Sequence, residues 1–182
     1  MLPFRPLCLG ILCLVLLVSR VGDPRVRAQD VSHEYQVKAA FVFRFAYYVE
    51  WPAAATENRT TLEYCVGPPN PFGESLRQLV AGEVLAGRRL VVRDLTSMMS
   101  LATCDVLFLH GGAVRPLLDR VQSRPVLTVS DAPGFLDEGG IIQLVRTDSR
   151  LGFNISLPAA ERAGLRLSSH LLRLAGTLRG GD

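Results

Sequence analysis

The stretch 124-RPVLTVSDAPGFLDEGGIIQL-144 reads as strand, loop and strand. Residues 126–129 form a short apolar run of the kind that fits a buried strand. Residues 130–140 carry Ser, Asp, Pro and three glycines, the chemistry of turns. A second apolar strand begins at Ile141. Upstream, residues 105–109 repeat the theme as a nearly continuous apolar run, the mark of a strand covered on both faces. Such strands belong to sheets sandwiched between helices, so the surrounding chain must supply helices.

Periodicity supplies them. Residues 35–49 lack Gly and Pro, and Val37, Ala40, Phe41, Phe45 and Tyr48 fall on one stripe at helical spacing. Ala39, Val42, Phe43, Ala46 and Val49 fall on a second, with Lys38 and Arg44 as the main interruptions. A helix apolar on both sides needs two partners. One is the sheet; the other is core, a neighbouring protein or a second copy. Trp51-Pro52 ends this helix, because the residue before proline avoids the helical region. Strands are expected at 62–66 and 89–95. A helix is expected to open at Asn70-Pro71, with Asn70 as cap. Further helices are expected at 96–101, 113–123, 158–163 and 169–178. A hairpin is expected from 141–145 and 152–156, turning at Thr147-Asp148-Ser149. The expected fold is a single three-layer α/β domain with a mixed, mainly parallel sheet and a late antiparallel hairpin.

The chain of 182 residues is 48% hydrophobic and 20% charged, which suits one globular domain. Arg5, the apolar run 7–18 and the Val26-Arg27-Ala28 triplet read as a cleaved secretory signal peptide over residues 1–28, leaving a domain of 29–182. The leader takes four arginines and one aspartate with it. Of 20 basic and 17 acidic residues, 16 of each remain. The basic pI near 8.9 therefore belongs largely to the leader and is no argument for nucleic-acid binding.

Cys65 and Cys104 are the two cysteines outside the leader. An even pair in an exported chain favours a disulfide, worth about 4 kcal/mol for a loop of this size. The alternative is two separate buried thiols. No Cys-x-x-Cys points to redox catalysis, and no His or Cys pair has metal-ligand spacing. The glycines form neither a phosphate loop nor a dinucleotide fingerprint, so no cofactor is expected. His110 and Ser130-Asp131 each follow a strand, where ligands collect in open α/β sheets. With Gly139 and Gly140 they make a candidate ligand loop. A hydrolase built on Ser130, His110 and Asp131 is the enzyme reading, but no triad pattern supports it, and no catalytic residue is assigned.

Taken in order, several motifs form a composite. They are Val37-Lys38-Ala39-Ala40-Phe41, Glu50-Trp51-Pro52, Tyr64-Cys65-Val66-Gly67, Asn70-Pro71-Phe72-Gly73 and Cys104-Asp105-Val106-Leu107-Phe108. Thr128-Val129-Ser130-Asp131, Gly139-Gly140-Ile141-Ile142, Phe153-Asn154-Ile155 and Ser169-His170-Leu171-Leu172 complete it. This order resembles the YfiR/HmsC family of bacterial periplasmic proteins over residues 35–175. The resemblance implies a compact, Rossmann-like α/β domain without a nucleotide site, and a periplasmic regulator, not an enzyme. It implies repression of a membrane diguanylate cyclase through that enzyme's periplasmic part, which limits cyclic di-GMP and biofilm formation. It also implies release through an outer-membrane lipoprotein or through loss of disulfide integrity. Cys65 and Cys104 match the family's main bridge position, while a second bridge found in some members has no counterpart here. Lys38, Phe41, Arg44, Phe45 and Tyr48 are the expected partner or homodimer surface. A periplasmic small-molecule sensor is the other reading.

Overall fold

The computed structural model describes residues 24–96, 98–111, 114–147 and 150–180, with side chains omitted at 24–32 and 98–100. The expected leader lies outside the described residues except for 24–28, which are the start of a helix. In chain order the elements are α1 (Pro24–Phe45), β1 (Val49–Glu50), α2 (Ala53–Thr56), β2 (Thr61–Val66), α3 (Ser75–Val80), β3 (Val84–Leu85) and β4 (Arg88–Asp94). A 3-10 segment, Met98–Thr103, leads to β5 (Val106–Leu109), α4 (Arg115–Leu118), β6 (Leu127–Ser130), β7 (Ile142–Thr147) and β8 (Arg150–Ser156). The chain ends with α5 (Leu157–Arg162), β9 (Arg166–Leu167), α6 (Ser169–Leu174) and β10 (Thr177–Arg179).

The main sheet has the order β10-β8-β7-β6-β5-β2-β4-β3, and β1 pairs with β9 in a two-stranded ribbon. From β4 through β2, β5 and β6 to β7 every pairing is parallel. The β7–β8 hairpin and the β3–β4 pair are antiparallel, so the sheet is mixed, as expected. Strand alternation builds two cores. Tyr64, Val66, Val106, Phe108 and Val129 face α1, α3, α5 and α6. Cys65, Leu107 and Leu109 face α4 and the turns around Phe135. All four residues of β5 are buried, which is why its sequence shows no alternation.

Several boundaries differ from the sequence expectations. The helix expected to open at Asn70 begins at Ser75. Asn70 Oδ1 accepts from the Phe72 N–H at 2.8 Å and its amide donates to Asp94 at 2.8 Å, so Asn70 closes a turn tied to β4. The long helix expected over 113–123 is α-helical only in α4. Beyond it, the bonds from the Val121 N–H to Leu118 O and from the Arg124 N–H to Val121 O are of the shorter i to i−3 kind. The last helix stops at Leu174, because the Gly176 N–H donates to Phe153 O at 2.8 Å and draws the chain into β10 beside β8. Where a helix is expected over 96–101, the described residues form the 3-10 segment Met98–Thr103 instead of an α-helix. Residues 148 and 149, at the expected hairpin turn, lie outside the described residues.

Candidate functional site

In the parallel core, β2 leads on one side to β4 and on the other to β5. The crevice beyond the carboxyl ends of β2 and β5 is therefore a topological switch point, where open α/β sheets bind ligands. Gly67-Pro68-Pro69 leaves β2 there and His110-Gly111 leaves β5. Between them is a cavity of about 340 Å³ walled by Pro68, Pro69, Leu109, His110, Val114 and Leu117.

A polar cluster is built behind His110. Asp131, just past β6, accepts from Lys38 Nζ at 2.7 Å and from the Tyr35 hydroxyl at 3.0 Å. The His110 Nδ1 lies 3.0 Å from the same carboxylate. Lys38 also reaches Glu34 Oε1 at 2.7 Å, and Arg146 meets Glu34 Oε2 at 2.7 Å. Burial acts to raise the Asp131 pKa, but the hydrogen bonds from Lys38 and His110 outweigh it, and the carboxyl sits below its ordinary value. Burial likewise acts to lower the Lys38 pKa, and the hydrogen bonds to Asp131 and Glu34 reverse it, so the ammonium sits above its ordinary value. When Nδ1–H of His110 donates to Asp131, Nε2 is left as a free acceptor.

The expected site residues are thus divided. His110 and Asp131 come together. Ser130 is fully buried, and its hydroxyl accepts from the Ala132 N–H at 3.0 Å, a turn role and not that of a nucleophile. Gly139 has Arg162 and Gln122 as its nearest side chains, and a Cβ on Gly140 would meet the Phe135 ring at 2.2 Å. Neither glycine joins the polar cluster; Gly140 allows the close approach of Phe135 to the backbone.

The expected partner surface is divided in a similar way. Phe41, Arg44, Phe45 and Tyr48 line one apolar groove of about 270 Å³ with Phe153, Leu171 and Leu174. Leu174 is 58% exposed on its rim. Lys38 is not part of this groove. It is 6% exposed and turned into the Asp131 cluster, where an ammonium finds two carboxylates. Tyr35, Glu34 and Arg146 carry no local sequence signal of the cluster, since only the folded chain brings positions as distant as 34 and 146 together.

Cys65 and Cys104 form a disulfide with Cα atoms 5.7 Å apart. It ties β2 to the segment before β5 on the face opposite α1. Arg93 Nη2 lies 3.5 Å from the Cys65 sulfur and 2.9 Å from Glu63 Oε2. Among the described residues no group of three or more His, Cys, Asp or Glu is arranged to hold a metal ion, and no helix is long and apolar enough to cross a membrane.

The motifs that run from Val37 to Leu172 now have a common frame, and residues 35–176 match the YfiR/HmsC-like family. The chain belongs to this family. Proteins of the YfiR/HmsC-like family are periplasmic regulators rather than enzymes, and membership supports a general regulatory role in cyclic di-GMP signalling. Two solved structures are similar to parts of the chain. One is a conserved domain protein from Vibrio cholerae O1 biovar El Tor, at 13% identity and TM-score 0.47, over 70% of this chain and 57% of that one. The other is an ABC domain in complex with L-Trp from Streptococcus pneumoniae, at 14% identity and TM-score 0.46, over 69% of this chain and 57% of that one. The chain thus spans little more than half of each, and neither similarity bears on function.

Proposed function

We propose that this protein, exported by a cleaved leader over residues 1–28, binds the periplasmic part of an inner-membrane diguanylate cyclase and holds it inactive. Repression would limit cyclic di-GMP and biofilm formation, and an outer-membrane lipoprotein would relieve it by competing for the repressor. What supports this reading is the α1–α6 groove. Phe41, Phe45 and Tyr48 lie on one helix stripe, Leu171 and Leu174 complete the wall, and Arg44 is the charged residue among them. An apolar groove of this shape accepts the apolar face of a partner helix, and Arg44 suits an acidic residue beside that face.

Affinity capture from native membranes tests the reading. Wild-type protein should retain a membrane cyclase and Arg44→Glu should lose it; retention of no inner-membrane protein by the wild type would refute the proposal. A homodimer through the same groove would appear in light scattering as a dimer that Leu174→Glu converts to monomer.

The second reading, a small-molecule sensor, is favoured by one observation: the imidazole of His110 stands on the wall of the switch-point cavity while Asp131 and Tyr35 hold its other side. Ligand at this cavity would raise the melting temperature with concentration, and His110→Ala would abolish that rise.

A further inference from the structure

At the amino ends of β2 and β4, the opposite edge of the sheet from His110, a second cleft of about 490 Å³ opens beside the end of α1. Leu62, Leu85, Tyr47 and Trp51 line it with apolar and aromatic surface, and Arg59 and Arg88 line it with guanidinium groups. Behind the arginines, Asp105 is 1% exposed. Its carboxylate accepts from Arg59 at 2.7 and 2.9 Å and from the Glu63 N–H at 2.8 Å, and it pairs with Arg88 Nη2 at 2.7 Å.

Two guanidiniums therefore share one carboxylate. Arg88 is 5% exposed, and its Nε and Nη2 donate to Thr61 O at 2.9 and 2.8 Å. Its Nη1 has no partner among the described residues. Of the carboxylates nearby, Glu50 on the cleft wall is paired with Arg166 at 2.6 Å, and exposed Glu83 accepts from the neutral Tyr47 hydroxyl at 3.1 Å. The Trp51 indole N–H is also buried without a hydrogen-bond partner among the described residues. Two guanidiniums on one carboxylate leave positive charge on the cleft wall, with Arg59 27% exposed, and the Trp51 N–H lining the same cleft is a buried donor that is costly to leave unsatisfied.

We propose that this cleft binds a small molecule with one carboxylate and an apolar body. The carboxylate takes the remaining Arg88 and Arg59 donors in the planar geometry that guanidinium favours. The body lies against Leu62, Leu85 and the aromatic walls. The volume is in the range of small-molecule sites. The site is separate from both the α1–α6 groove and the His110 cavity, so it stands or falls independently of the regulatory reading.

Calorimetric titration of the full domain with butanoate, hexanoate, benzoate and phenylacetate, each beside its uncharged amide, tests the proposal. At least one carboxylate should bind, and at least tenfold tighter than its amide. Arg88→Met should weaken that binding at least tenfold. Because Arg88 is buried, Leu85→Trp provides an independent check: it fills the cleft mouth, keeps both guanidiniums, and should also abolish binding. The proposal is overturned if no carboxylate in the series binds, if acid and amide bind alike, or if binding survives Leu85→Trp in the folded protein.

Discussion

The Lys38 ammonium lies 2.7 Å from Asp131 Oδ2, and each side chain is 8% exposed. This pair joins the helix that precedes the sheet to the loop that follows β6, across 93 residues of sequence. Removing one member leaves the other charge buried, a change that costs about 3–5 kcal/mol. Lys38→Met should therefore lower unfolding stability by about that amount. The double variant Lys38→Met with Asp131→Leu should lose less than the sum of the single variants, because no orphan charge remains. Urea denaturation of the four proteins checks both statements.

The same pair sets a pH dependence. The Asp131 carboxyl is held below its ordinary value when folded. Its contribution is fully present above the unfolded aspartate pKa of about 3.9, and it is lost as pH falls from there through the lower folded pKa. Lys38 is held above its ordinary value. Its contribution is complete below about pH 10.4, the unfolded lysine pKa, and is lost as pH rises through the higher folded pKa. The stability gap between wild type and Asp131→Asn should be flat from pH 5 to 9 and narrow below pH 4. A gap that stays constant to pH 2 would contradict the assignment.

These contacts mark the limit of what local sequence reveals. The apolar run in β5, the hairpin of β7 and β8 and the stripe Phe41–Phe45–Tyr48 are short-range patterns, and each was legible. Lys38 was not. On a helical wheel it interrupts an apolar surface and looks like part of an exposed partner face; its burial depends on Asp131, which periodicity cannot place. Asn70 followed by Pro71 looks like a helix cap, yet its amide is drawn to Asp94, at the end of a strand 24 positions on. The C-terminal helix is shorter than its periodicity suggests because the pull on Gly176 comes from Phe153, a backbone contact that leaves no mark on the local pattern.

The Cys65–Cys104 bridge closes a span of 39 positions. By the loop-entropy estimate, Cys65→Ser with Cys104→Ser should cost about 4 kcal/mol. Thermal unfolding with and without reductant checks this. Reductant should lower the wild-type midpoint to near that of the double variant and leave the variant unchanged.

Gly140 offers a packing test. A Cβ there would stand 2.2–2.5 Å from atoms of the Phe135 ring, which is fully buried. Gly140→Ala should destabilise by about 1–3 kcal/mol through overpacking. Adding Phe135→Leu should recover part of that loss, although the same Phe135→Leu alone is destabilising, and chemical denaturation of the single and double variants reads this sign reversal.

Repression through the α1–α6 groove is tested most directly by cellular cyclic di-GMP. Leu174 is on the exposed rim, so Leu174→Glu places a charge in the groove without entering the core. In cells whose own copy is deleted, wild-type protein should restore low cyclic di-GMP. Leu174→Glu, present in the periplasm at equal level and with an unchanged melting temperature, should leave it as high as the deletion. Full repression by that variant would contradict the groove as the repressing surface.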